Sequence, residues 1–184
     1  PEARLLLISG PNAGGKSVCL KTVGLLQYLV QCGIPVPMQE HSRMGLFDKL
    51  YIDIGDEQSI EDDLSTYSSH LRNMKQFVRG CDGRTLLLID EFGGGTEPTI
   101  GGAIAQALLH RFNEQGAFGV ITTHYQNLKT YAEEHTGLIN GAMLYDRHEM
   151  RPLFRLSIGR PGSSFAIEIA RKIGLPEEIL DEVT

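Results

Sequence analysis

Apolar residues arrive along this chain in two kinds of segment. The runs at 4–9, 85–89 and 119–122 are short and almost wholly apolar, as strands buried on both faces of a parallel sheet must be. Longer segments lie between them. Residues 16–32 predict a helix whose apolar content is Val18, Leu20, Val23, Leu25, Leu26 and Leu29; Gly33 ends it, and Pro35 and Pro37 bar its continuation. Residues 65–79, closed by Gly80, and 99–113, with Ile104, Ala107 and Leu108 on one side, predict two more helices. A further strand is expected at 47–54. Residues 138–145 and 152–158 predict a hairpin joined through the charged stretch 146–151, and 163–173 and 176–183 predict two short helices split by Gly174. Strands alternating with helices imply an α/β fold with a mostly parallel central sheet flanked by helices, here with a C-terminal hairpin and a short helical tail at about 163–184. In such folds ligands bind at the carboxyl ends of the strands.

The first strand runs into Gly10-Pro11-Asn12-Ala13-Gly14-Gly15-Lys16-Ser17, a match to G-x-x-x-x-G-K-S followed at once by a helix. The glycines let the backbone curl so that successive N–H groups face phosphate oxygens, and the helix adds the positive end of its dipole. Lys16 is expected to reach the β- and γ-phosphates and the Ser17 hydroxyl to bind Mg²⁺. Val18, on the first helical turn, completes the nucleotide-binding set. A glycine-rich turn ahead of a helix is the plain alternative, and the strand–loop–helix context disfavours it.

The strand at 85–89 delivers two carboxylates, Asp90 and Glu91. Behind a phosphate loop, an Asp at such a strand end holds Mg²⁺, and the adjacent Glu91 is placed to polarise the attacking water as a general base. The strand at 119–122 ends in Thr123-His124, where a histidine can sense the γ-phosphate and orient the water. Ser65-Thr66 opens a helix. Helix capping explains this pair; contact of the helix start with a γ-phosphate held by a second copy explains it equally well.

Length and composition narrow the setting. A chain of 184 residues with 41% hydrophobic content suits one domain with a real core. The formal net charge is −6, whereas a domain that grips a nucleic-acid backbone by itself is usually basic; any nucleic acid is therefore expected to be held by other parts of a longer protein. Three cysteines without a CxxC pair read as reduced thiols, which points to the cytoplasm. No run is long enough to span a bilayer, and Glu2 and Arg4 at the start argue against a signal peptide. The abrupt start and a finish inside a helical pattern suggest one ATPase domain, 1–184, cut from a larger protein.

Taken together, the phosphate loop, Leu64-Ser65-Thr66-Tyr67-Ser68-Ser69-His70, Ile89-Asp90-Glu91-Phe92-Gly93-Gly94-Gly95-Thr96 and Thr122-Thr123-His124-Tyr125 resemble the ATPase domain of the MutS family, which belongs with the ATP-binding-cassette P-loop ATPases. The likeness covers essentially the whole chain, including the tail from Phe154-Arg155-Leu156 to Gly174-Leu175-Pro176-Glu177-Glu178. Residues 53–60 with 64–70, Thr96-Glu97-Pro98, and His124-Tyr125 followed by Leu128-Lys129 and Tyr131-Ala132 look more like the second bacterial branch, MutS-two, than like mismatch-repair MutS. Phe92 stands where a Leu is more usual and Gly94 where an Ala is common.

The resemblance implies an ATP- and Mg²⁺-dependent ATPase that works as a homodimer through its nucleotide face. It places Asn12 beside the γ-phosphate, Gln58 in a loop coupling the site to other domains, Ser65 across the dimer interface, and Gly94-Gly95-Thr96 against the partner subunit. It implies partners held by domains outside this chain: branched or mismatched DNA, or the ribosome. The implied roles are suppression of homologous recombination or ribosome rescue. Mismatch repair, a nucleotide-gated dimerisation module with little turnover, and, more distantly, a small-molecule kinase are the alternatives. Any nuclease activity is expected outside this chain.

Overall fold

The apolar runs do become neighbouring strands, with the segments of helical spacing packed on both faces. The structure is a computed structural model describing residues 2–11, 14–55, 63–146, 149, 151–162, 170–171, 173–176 and 178–179, with side chains in the first helical turn after residue 62 outside the description. Its elements are β1 (Ala3–Ser9), α1 (Lys16–Gln31), β2 (Lys49–Asp53), α2 (Asp63–Gly80), β3 (Thr85–Ile89), α3 (Pro98–Glu114), β4 (Phe118–Thr122), α4 (Gln126–Glu134), β5 (Gly137–Asp146) and β6 (Arg151–Ile158). They form a six-stranded sheet in the order β2-β3-β4-β1-β5-β6. β1 to β5 are parallel, and β6 returns antiparallel to β5, so the expected hairpin is present.

β3 is buried along its whole length because helices cover both faces. On one side α1 sets Leu20 against Leu86 and Leu88. On the other, α2, α3 and α4 set Met74, Phe77, Leu109, Phe112 and Leu128 against Leu5, Leu7, Leu87, Ile89 and Ile121. Alternate residues of one strand thus feed two cores.

The structure departs from or adds to the sequence reading at three helices. α2 begins at Asp63 and includes Gly80, rather than running over 65–79. α3 buries Gly101, Gly102, Ala105, Leu109 and Phe112, whereas Ile104 and Ala107 are exposed: its small residues let it lie close to the sheet, so the larger ones on the next stripe face outward. α4 was not expected at all. It is nine residues long and closes its buried face with Leu128, Lys129, Tyr131 and Ala132. The tail helices expected at 163–173 and 176–183 lie largely outside the described residues.

Among the described residues no helix is long and apolar enough to cross a membrane. Burial raises the pKa of the Cys19 and Cys81 thiols above the ordinary cysteine value.

Candidate active site

The carboxyl ends of β1, β3 and β4 meet at one edge of the sheet, and every catalytic candidate hangs from them. β1 leads into the phosphate loop and α1. Gly15 takes φ of 88°, a left-handed turn that an L side chain resists, and it caps α1 with no side-chain hydrogen bond, so the first helical N–H groups face the loop. The Lys16 side chain folds back over the loop and donates to the Gly10 carbonyl at 2.9 Å and the Pro11 carbonyl at 3.1 Å. It is 4% exposed. Burial pushes its ammonium below the ordinary lysine value; the Glu91 and Asp90 carboxylates oppose that shift, and Lys129 adds to it. Lys16 therefore shares one electrostatic neighbourhood with both carboxylates.

β4 lies between β1 and β3 and joins the two halves. Thr122 sits level with Ile8 of β1. Its hydroxyl donates to Asp90 Oδ1 and accepts the Glu91 N–H at 2.8 Å, and its carbonyl accepts the Phe92 N–H at 2.9 Å. The next residue turns the other way: the Thr123 N–H donates to Ile8 O at 3.0 Å. Asp90 is 7% exposed, and its N–H donates to Asp53 O on β2 at 2.9 Å. Glu91 adopts φ of 46°, left-handed for a residue with a side chain, so the chain leaves the sheet at the expected base.

His124 is exposed on the short link between β4 and α4, its ring tilted against Tyr125 at 4.5 Å. Ser17 is half-buried and Val18 exposed on the first turn of α1. Gly10 and Gly14 lie against Met143 of β5, and the Gly14 N–H donates to the Pro11 carbonyl at 2.9 Å. Ser65 lies in the first turn of α2, and its side chain lies outside the described residues, as do Asn12, Ala13 and Gln58.

Four residues that sequence reasoning missed belong to this edge. Asp53, ending β2, is 6% exposed and accepts from His70 Nδ1 at 2.7 Å and Asn73 Nδ2 at 2.8 Å, tying α2 to the strand beside Asp90. Lys129 of α4 is buried, which lowers its pKa, and donates to Gly162 O at 3.0 Å. The Gly162 N–H in turn meets Ser9 Oγ at 2.6 Å, where a Cβ would stand 2.7 Å from the Ser9 backbone. Phe154 of β6 takes φ of 49° and is 66% exposed. Its ring lies over the loop, so that a Cβ on Gly15 would come within 2.9 Å of it. Thr122 is the fourth. A strand-end Asp and a lysine in a short amphipathic stretch were visible signals; Thr122 and Phe154 stand in motifs quoted above, but nothing there gave either a role at the site. Beside Glu91 a narrow cleft opens between α2 and α3, lined by Tyr67, His70, Met74, Gly93 and Ile104 among others.

Hard oxygen donors suit Mg²⁺, which takes one or two protein ligands and completes its shell with water and phosphate oxygens. The buried Asp90 carboxylate and the Ser17 hydroxyl are donors of that kind.

The family model described as MutS domain V matches residues 6–184. The protein called Endonuclease MutS2 of Enterococcus faecalis is 46% identical over 180 residues, 98% of this chain and 23% of that protein. The proteins of the same name from Thermomicrobium roseum (46% over 177 residues; 96% and 22%) and Exiguobacterium sibiricum (47% over 180 residues; 98% and 23%) are similarly close. The chain spans about a quarter of the length of these curated relatives.

Proposed function

The chain belongs to the MutS family, as its domain V, and on that premise we propose that it is a Mg²⁺-dependent ATPase of the ATP-binding-cassette type, the motor of a MutS-two-like protein. The observation that carries this reading is the convergence of Lys16, Asp90 and Glu91 on one edge of the sheet. The uncapped start of α1 and the Lys16 ammonium bind the triphosphate. On binding, the ammonium exchanges the carbonyls of Gly10 and Pro11 for phosphate oxygens, an attraction between opposite charges that outweighs the ion–dipole contacts it replaces. Asp90 and Ser17 would hold Mg²⁺, which would supply positive charge against the phosphates. Glu91 takes the proton of the attacking water, and His124, at the end of the neighbouring strand, orients that water. Phe154 offers a flat exposed ring beside the loop on which a nucleotide base can stack.

The same reading makes the site one half of a sandwich. Ser65, at the start of α2, and Gly94-Gly95-Thr96, after the carboxylates, would complete the nucleotide site of a second copy, with Gln58 coupling it to other domains. ATP-dependent pairing would then clamp DNA, branched or mismatched, or the ribosome through the remaining three quarters of the protein. The acid excess of this chain supports leaving that contact to other domains. Suppression of recombination or ribosome rescue is the biological role we favour, and we place nuclease chemistry outside this chain.

The deciding experiment is Glu91→Gln in the full-length protein. ATP binding should persist while turnover falls about 10²- to 10⁴-fold, the usual contribution of a general base. Turnover at the wild-type rate would overturn the role given to Glu91. A wild-type protein that pairs on ATP yet hydrolyses none would favour the nucleotide-gated module instead.

A further inference from the structure

We propose that Thr122 is a positioning residue for Mg²⁺-dependent turnover, one hydroxyl fixing both the rotamer of Asp90 and the backbone of Glu91. The proposal rests on the reading of those two carboxylates given above. Thr122 is fully buried. A hydroxyl has one proton and two lone pairs. The Glu91 N–H can only donate, so it takes a lone pair of Oγ1 at 2.8 Å. The proton of Oγ1 is then committed to Asp90 Oδ1, an acceptor in its ionised, metal-binding form.

The arrangement is more than the filling of a strand end. β3 pairs with β4 as far as Ile89 and Ile121, and beyond that point φ of 46° carries Glu91 out of the ladder. The Thr122 side chain accepts the N–H that the strand no longer pairs. The Thr122 carbonyl catches the next one, from Phe92. Thr123 provides the contrast: it is as buried as Thr122, yet its hydroxyl serves its own loop by accepting the Tyr125 N–H at 3.1 Å. Of the two threonines, Thr122 is the one that reaches the Asp90 carboxylate and the Glu91 backbone. Valine has the same shape without the hydroxyl, and would leave Asp90 free to rotate and Glu91 without its anchor.

The test compares Thr122→Val, Thr122→Ser and Glu91→Gln in the full-length protein. Two readouts are needed: steady-state ATPase over a Mg²⁺ titration, and calorimetric ADP affinity in EDTA and in Mg²⁺. Thr122→Val should lower kcat about 10- to 100-fold, as loss of a hydrogen bond to a metal-ligating carboxylate does. It should also shrink the gain in ADP affinity that Mg²⁺ brings, while affinity in EDTA and the KM for ATP stay near wild type. Thr122→Ser should restore most of both. If Thr122→Val is insoluble, Thr122→Ala removes the same hydroxyl and carries the same expectation. Wild-type kcat and an undiminished Mg²⁺ effect in the hydroxyl-free variant, beside an inactive Glu91→Gln, would overturn the proposal alone. Damage in Thr122→Ser equal to that in Thr122→Val would overturn it too, because the methyl packing would then be what matters. A fully active Glu91→Gln would instead remove the reading beneath it.

Discussion

Asp53 and Asp90 end adjacent parallel strands, are almost equally buried, and are joined by a hydrogen bond from the Asp90 N–H to the Asp53 carbonyl. Their surroundings divide them. Asp53 gives one oxygen to His70 and the other to Asn73, both on α2. Asp90 gives one oxygen to Thr122, and its second has no hydrogen-bond partner among the described residues. A saturated carboxylate is a structural tie, whereas a half-satisfied one facing a phosphate loop and a lysine is ready for a cation. Position in the fold nominates a strand-end carboxylate for chemistry; the donors around it decide whether it is available.

The sharpest way to break that contrast is Asp90→Asn. Turnover should fall about 100-fold or more, since the proposed metal-ligating charge is lost and changes to groups that merely hold such a ligand cost about 10- to 100-fold. The thermal midpoint should hold, because the Thr122 hydroxyl can still donate to the amide oxygen. Near-normal ATPase activity would erase the distinction. Asp53→Asn should do the reverse. It weakens two charge-assisted contacts and should cost about 1–3 kcal/mol in urea unfolding, a midpoint drop of roughly 2–4 °C per kcal/mol for a chain of this size. Turnover below the new midpoint should stay within a few-fold of wild type, and a collapse in kcat without a loss of stability would move Asp53 into the chemistry.

The smallest effect comes from an exposed carboxylate, Asp82. The Lys49 ammonium at 2.6 Å, helped by the Arg84 N–H, holds its carboxyl down at about 2. An unfolded chain binds the same proton near ~3.9. The stabilisation is therefore complete above ~4 and is lost as pH falls toward about 2. Asp82→Asn should be slightly less stable than wild type near neutrality, with the gap closing through that window and narrowing with added salt. An equal gap at both ends of the window would show that the pair contributes nothing through charge.

What could be read beforehand followed locality. The phosphate loop, the carboxylates after 85–89 and the parallel strands each sit in one continuous stretch, so their spacing alone reveals them. Thr122 was invisible because its role exists only after β4 lies against β3, and threonine in a strand is ordinary. α4 escaped because its helical spacing at 128, 129, 131 and 132 lasts only nine residues, and a lysine sits among the buried set. The outward stripe of α3 drew attention away from Gly101, Gly102 and Ala105, whose value lies in how little space they take. Phe154 went unnoticed because only the returning hairpin brings it over Gly15.

The strand order has a kinetic consequence. β1 leads into the loop at 10–17 and is the first of the six strands in chain order, yet it pairs with neither β2 nor β3. Leu5 waits for Gly119 on one side and Leu138 on the other. Until β4 and β5 exist, the loop has no lateral support, and closing such long loops costs entropy before any contact repays it. The site is thus among the last parts of the domain to assemble. A nascent chain stalled before residue 118 would therefore expose β1 as an apolar edge strand, with the loop that follows it still unsupported on both sides.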